Sequence, residues 1–123
     1  MNNVDSSGWL EYFADDEKAD FFAPAIERVP ELIVSTISIY EVFKRIRQQS
    51  SQSHALNAIA QMQQGKVVDL DAMIALSAAN VSISLKLPLA DSVMRATARF
   101  YHAALWTQDA HFRDLEEVEY IEK

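Results

Sequence analysis

Short apolar runs alternate with amphipathic stretches along the chain. Val4 is followed by a polar step, Asp5-Ser6-Ser7, and then by Trp9, Leu10, Tyr12 and Phe13 at helical spacing, so a very short strand hands over to a helix. A second helix is predicted from Glu17 to Arg28, with Phe21, Phe22 and Ile26 on its apolar face and Pro30 closing it. Leu32-Ile33-Val34 has the unbroken apolar character of a parallel strand buried on both faces. Ser35 to Tyr40 leads into a helix through Glu41, Val42, Phe43 and Ile46, whose later half carries Lys44, Arg45 and Arg47. The polar segment Gln48 to Ser53 breaks that helix before His54 to Gln64 resumes the spacing with Leu56, Ile59 and Met62, and Gly65 stops it.

Lys66-Val67-Val68 reads as a third strand, and Asp71 as the cap of an apolar helix over 72–85 that is expected to be buried. Leu87-Pro88 makes a turn into a helix over 90–102. Ala104 to Thr107 is the fourth strand and Val118 to Ile121 a fifth. Strands near 2–5, 32–34, 66–68, 104–107 and 118–121, separated by helices, predict one α/β domain over 1–123: a doubly wound parallel sheet of about five short strands flanked by helices.

Composition narrows the chemistry. The chain has 123 residues, 50% hydrophobic and 24% charged, the balance of a globular protein. It has no cysteine, which removes disulfides, thiolate metal sites and a cysteine nucleophile. The longest uncharged run, Ala72 to Leu85, is shorter than the roughly 20 residues of a membrane helix, and no secretory pattern opens the chain; the expected location is cytoplasmic, without a membrane partner. The net charge of -7 is unevenly distributed: residues 1–31 and 114–123 together carry -10, whereas 32–113 carries +3. A locally basic face toward a phosphate backbone is therefore compatible with an acidic total, as are ordinary solvated charges.

Four acids change the picture. Ligands of an open parallel sheet bind beyond the carboxyl ends of its strands, where strand order reverses. Asp5 and Asp109 lie just past strand ends, while Glu41 and Asp91 fall in the early turns of helices that begin at the same edge. Each has an ordinary explanation taken singly: Asp5 as a helix cap, Glu41 in a Ser38-x-x-Glu41 capping box, Asp91 at a helix dipole, Asp109 in a turn. Four at one edge is a different matter, because crowded carboxylates raise one another's pKa and call for a cation. Oxygen-rich sites of this kind suit Mg²⁺ or Mn²⁺, which commonly accompany phosphate substrates.

These residues resemble those of the PIN domain family, and within it the VapC-type toxins of toxin-antitoxin pairs. The resemblance spans essentially the whole chain: Val4-Asp5-Ser6-Ser7 with Trp9-Leu10, Ser38-Ile39-Tyr40-Glu41-Val42, Leu89-Ala90-Asp91-Ser92 with Ala96-Thr97-Ala98, and Leu105-Trp106-Thr107-Gln108-Asp109-Ala110-His111-Phe112. It implies that Asp5, Glu41, Asp91 and Asp109 form the acidic quartet of a metal-dependent ribonuclease, with Ser6 and Thr107 as supporting hydroxyls. Asp5, Asp91 and Asp109 are then the expected ligands of Mg²⁺ or Mn²⁺, and Glu41 the group that orients or deprotonates the attacking water; hydrolysis leaves a 5'-phosphate and a 3'-hydroxyl. One departure is His111, at a position where many relatives carry another acid. It is expected to pack or hydrogen-bond beside Phe112 rather than bind metal, and a second metal site is correspondingly in doubt.

Lys44, Arg45 and Arg47, near Glu41, and Arg95 and Arg99, one and two turns beyond Asp91, are the cations expected to position RNA. Surface ion pairs explain each of them equally well. The resemblance also implies a homodimer and a VapB-like antitoxin whose tail covers the aromatic region of Trp9, Tyr12, Phe13, Phe21 and Phe22 and inserts a basic residue into the acidic crevice. Phe21 and Phe22 cannot both point inward from one helix, which leaves one of them to line a groove for a partner. The alternative is a catalytically inactive PIN-fold module that binds RNA or protein. A phosphohydrolase would want Asp-x-Asp after the first strand, where Asp5 is followed by Ser6 and Ser7; a receiver domain would want a late-strand Lys, absent from Thr107-Gln108-Asp109.

Overall fold

The computed structural model describes all 123 residues. Five strands, β1 (Asn2–Val4), β2 (Leu32–Ser35), β3 (Lys66–Val68), β4 (Ala104–Thr107) and β5 (Val118–Tyr120), form one all-parallel sheet in the order β3-β2-β1-β4-β5. The order runs outward from β1 to β3 and then restarts on the other side at β4. The switch point therefore lies between β1 and β4, where ligands of such sheets bind.

Six helices cover the sheet: α1 (Ser6–Ala14), α2 (Ala19–Glu27), α3 (Thr36–Gln49), α4 (Gln52–Met62), α5 (Ala72–Leu85) and α6 (Leu89–Phe100). Side chains alternate across each strand, so consecutive apolar residues feed two different cores. Val4, Leu32 and Val34 pack with Trp9, Phe22, Ile26, Val42 and Met62 on one face of the sheet. Ile33 and Leu105 pack with Met94, Ala98 and Phe112 on the other. The predicted break after Gln48 falls at Ser50-Ser51, where the Ser51 hydroxyl accepts the His54 N–H and starts α4.

The apolar helix over 72–85 departs from expectation. Only Ile74 and Ala78 of α5 are buried, against Val93 and Ala96 of α6. Met73, Leu76 and Ile83 point outward, at 62%, 71% and 78% exposure, beside Leu89 at 77%. A helix apolar on every side predicts burial from sequence alone, but a small fold has no second sheet or helix layer to cover the outer stripe. No single helix is long and apolar enough to cross a membrane.

Phe22 is buried, and Phe21 is tilted against Trp106 with ring centroids 5.3 Å apart. The second phenylalanine is thus taken up by β4 and does not line an open groove. The close seating of α1 on α2 depends on Gly8: a Cβ there would lie 2.7 Å from both the Phe22 ring and Val4 Cγ1. The roughly 1 kcal/mol of helix propensity that alanine gains over glycine is smaller than the roughly 1–3 kcal/mol typical of overpacking. Gly8→Ala should therefore lower stability by up to about 2 kcal/mol in urea unfolding; a stability above wild type would show that the ring and Val4 yield freely.

Candidate active site

Each acid of the predicted quartet comes from a different element and each is held by local structure. Asp5 directly follows β1 and is the N-cap of α1, its Oδ1 accepting the Gly8 N–H at 3.0 Å and the Ser7 hydroxyl at 2.8 Å. Its Oδ2 accepts the hydroxyl of Thr107, the last residue of the neighbouring β4. Thr107 Oγ1 in turn accepts the Asp109 N–H at 2.9 Å, so one buried hydroxyl ties the two strand ends of the switch point together. Asp109 caps a single 3-10 turn, Ala110–Phe112, by accepting the His111 N–H at 2.9 Å.

Glu41 lies in the second turn of α3 and does not complete a capping box. The helix begins at Thr36, and the buried Ser38 hydroxyl is directed at Met94 Sδ, 3.6 Å away. That frees the Glu41 carboxylate to face the cleft, where Oε1 accepts the Ser6 hydroxyl at 2.5 Å. Asp91 sits in the first turn of α6, where a carboxylate also meets the positive end of the helix dipole. All four acids line one open cleft of about 1200 Å³.

The electrostatics follow from this crowding. Burial pushes the Asp5 carboxyl above its ordinary value; its hydrogen bonds from Thr107, Gly8 and Ser7 pull it back, and the charge of Asp109 adds to the rise. Burial likewise raises Asp91, opposed by a hydrogen bond from His111 and reinforced by Asp109. His111 is raised in turn, first by its bond to Asp91 and then by the charge of Asp109.

His111 does form a hydrogen bond, as its sequence expectation had it, but to Asp91 in the cleft and away from Phe112. Phe112 is fully buried in the core, while the imidazole faces the acids, with Nδ1 2.8 Å from Asp91 Oδ2 and 3.3 Å from Asp109 Oδ1. The turn capped by Asp109 separates the two neighbours and sends them in opposite directions. Asp91, Asp109 and His111 each offer a ligand atom, all within 4.8 Å of one another. This donor set fits a divalent cation. Gln108 adds an orphaned acceptor: the residue is 3% exposed, lines the same cleft, and its Oε1 has no hydrogen-bond partner.

The five cations expected to contact RNA are dispersed. Only Arg45 lines the cleft. Lys44 lies over the Tyr40 ring and Arg47 reaches Gln52. Arg99 is exposed at the far end of α6, about 12 Å along the helix from Asp91. Arg95 is 4% exposed and donates to the Glu116 carbonyl, pinning the segment before β5, so it is not presented to solvent as that expectation required. A helix position one turn from Asp91 faces the same side of the helix, but that side is covered here by the chain returning through 113–117. Sequence reasoning passed over Arg113 and Lys123, both of which line the cleft. Their signal was weak, because Arg113 lies just past the last motif residue at the edge of the acidic C-terminal segment and Lys123 lies within that segment, far from any motif.

An all-parallel sheet with carboxylates from four elements gathered at its switch point defines a class, the α/β proteins with an acidic ligand crevice. The chain belongs to the PIN domain family, whose model matches residues 3–118. No curated protein matches it significantly. Among solved structures it is similar to a toxin-antitoxin complex from Klebsiella pneumoniae, with 19% identity over 97% of this chain and 96% of the other and a TM-score of 0.82. It is also similar to VapC20 of Mycobacterium tuberculosis, a toxin that cleaves the sarcin-ricin loop, with 15% identity over 94% and 95% and a TM-score of 0.77. A third is VapBC2 from Rickettsia felis bound to a promoter DNA fragment, with 9% identity over 98% and 97% and a TM-score of 0.76. At these identities the likeness shows a shared fold.

Asp5 also sets a pH dependence. Because its folded-state pKa is raised, the folded chain binds this proton more tightly than the unfolded one; the stabilisation is fully present below the ordinary value of 3.8 and is lost as pH rises through the folded value. In EDTA, the Tm of Asp5→Asn relative to wild type should therefore shift in the variant's favour between about pH 4 and about pH 7. A difference constant across thermal scans in that range would show that burial of the charge at Asp5 carries no cost.

Proposed function

We propose that the chain is a VapC-type endoribonuclease, the toxin of a toxin-antitoxin pair, hydrolysing RNA phosphodiesters with a carboxylate-held Mg²⁺ or Mn²⁺. The observation that carries this reading is the convergence of Asp5, Glu41, Asp91 and Asp109 on one cleft at the switch point. Membership of the PIN family and likeness in fold to toxin structures support it.

Asp91 and Asp109, with Asp5 behind them, would hold the ion. When bound, such an ion lowers the pKa of a coordinated water and offsets charge developing on the phosphate. Thr107 and the N-terminus of α1 keep Asp5 in one rotamer, ordering the carboxylate before any ligand arrives. Glu41 has Oε1 occupied by Ser6, so Oε2 is the atom left to orient the attacking water and accept its proton. Arg45, Arg113 and Lys123, which line the cleft with the acids, would supply positive charge for the RNA backbone.

The partners follow from two surfaces. Beyond the acids the cleft continues along Leu10 and Phe13 of α1, Ile46 of α3, and Asn57 and Ala58 of α4, an apolar floor with polar edges. That groove suits a peptide segment of a VapB-like antitoxin, which would reach the acidic end with a basic residue. The outward stripe of Met73, Leu76, Ile83 and Leu89 suits a second copy of the chain.

Incubation of the purified chain with total tRNA and ribosomal RNA should give cleavage with Mg²⁺ or Mn²⁺, none with EDTA, and a loss of about 10³-fold or more in Asp91→Asn. Undiminished cutting by that variant, or by the wild type in EDTA, would remove the scheme. Absence of cutting under every condition, with RNA still bound, would favour the inactive binding module. In sedimentation analysis the wild type should run at twice its 13.9 kDa and Leu76→Glu/Ile83→Glu as a folded monomer. A variant that stays dimeric would place the dimer contact elsewhere.

A further inference from the structure

We propose that His111 is a direct ligand of the divalent cation held by Asp91 and Asp109, and that its nitrogen biases the site toward Mn²⁺ over Mg²⁺. The inference rests on the metal-dependent reading of the cleft, and it concerns the imidazole that the 3-10 turn sets against Asp91 and Asp109.

The geometry comes first. Ligands at adjacent corners of an octahedron with metal-donor distances of about 2.1 Å lie about 3 Å from one another. His111 Nδ1 lies 2.8 Å from Asp91 Oδ2, to which it is hydrogen-bonded, and 3.3 Å from Asp109 Oδ1, which brackets that spacing; on ion binding the Nδ1 proton leaves to solvent, the neutral ring keeps its proton on Nε2, and the ion takes the place of the hydrogen bond. All three donors fall within 4.8 Å of one another. The placement is also built in. Phe112 anchors the turn in the core, and the Asp109 carboxylate fixes the His111 backbone by accepting its N–H. Only the imidazole's own side-chain torsions remain to be set, and the ring, 56% exposed, is open to an arriving ion.

The consequence for selectivity is chemical. Mg²⁺ keeps oxygen ligands and gives up its waters reluctantly, whereas Mn²⁺ accepts carboxylate and imidazole together. An acid at position 111 would make the site all-oxygen and add a negative charge to an already crowded cluster. The histidine adds a donor without that charge. A site of two carboxylates and one imidazole therefore loses little for Mn²⁺ and forgoes an oxygen ligand for Mg²⁺.

The test is direct binding at about pH 8, by titration calorimetry with Mn²⁺ and with Mg²⁺, joined to pulsed electron paramagnetic resonance of the Mn²⁺-loaded chain. Wild type, His111→Ala, His111→Asp and Asp91→Asn are compared, with circular dichroism confirming the fold of each. The wild type should show nitrogen-14 coupling to Mn²⁺ that is absent in both His111 variants. His111→Ala should weaken Mn²⁺ by about tenfold or more and Mg²⁺ by less than about threefold, and His111→Asp should lower the Mn²⁺ to Mg²⁺ affinity ratio. Mn²⁺ that binds the wild type, is lost in Asp91→Asn, and shows neither nitrogen coupling nor a changed ratio in the His111 variants overturns the proposal while leaving the acidic site standing. Binding that is absent in the wild type, or unaffected by Asp91→Asn, removes the metal-dependent reading and this proposal with it.

Discussion

Burial of a carboxylate at the ends of β1 and β4, sharpened by the acids crowded around it, is the constraint around which the rest of the molecule is arranged. Burial is the largest cause of the raised pKa of Asp5, and the charge of Asp109 adds to it. What keeps it where it is are three hydrogen bonds from three origins: the backbone of α1, the adjacent Ser7 and the cross-strand Thr107. Remove the parallel pairing of β1 with β4 and Thr107 no longer reaches Asp5; remove the close seating of Gly8 on Phe22 and the capping N–H moves away. The site is thus an extension of the packing. Its electrostatic cost is tolerated because two hydrophobic cores, one on each face of the sheet, hold the strand ends in place.

Much of this was legible in the sequence because it depends on period and position. Runs such as Leu32-Ile33-Val34 announce a strand buried on both faces, and the alternation of such runs with helical stretches gives a parallel sheet. Acids just past strand ends or in early helical turns then converge by topology, which is why all four line one cleft although they span positions 5 to 109. What was not legible depends on which way a side chain turns, and on what later segments cover. His111 and Phe112 are neighbours whose opposite fates follow from a 3-10 turn that a hydrophobicity pattern does not reveal. Arg95 has the right helical phase to flank Asp91, yet its guanidinium is claimed by the Glu116 carbonyl, a contact with a segment twenty-one residues away. Ser38 and Glu41 match a capping box only if the helix begins at Ser38, and it begins at Thr36.

The helix α5 shows the same limit from the other side. Its sequence is apolar at almost every phase, and burial is the default reading of such a helix. In the fold it is the outermost element of its face, packed on α6 through Ile74 and Ala78 while Met73, Leu76 and Ile83 remain uncovered. A pattern of hydrophobicity records that a surface avoids water; it does not record whether the cover comes from the same chain or from another.

Net charge is the least informative of the bulk properties here, and the structure shows why. An acidic total of -7 speaks against an RNA partner only if charge is spread evenly. Cations share the cleft with the carboxylates: Arg45 from α3, and Arg113 and Lys123 from the C-terminal segment. Arg113 is itself paired with Glu122 and stacked on Tyr120, so the acidic tail that lowers the total charge also positions a base at the cleft. Counted over the chain, those acids only lower the total; placed where they are, one of them, Glu122, holds a cation at the cleft.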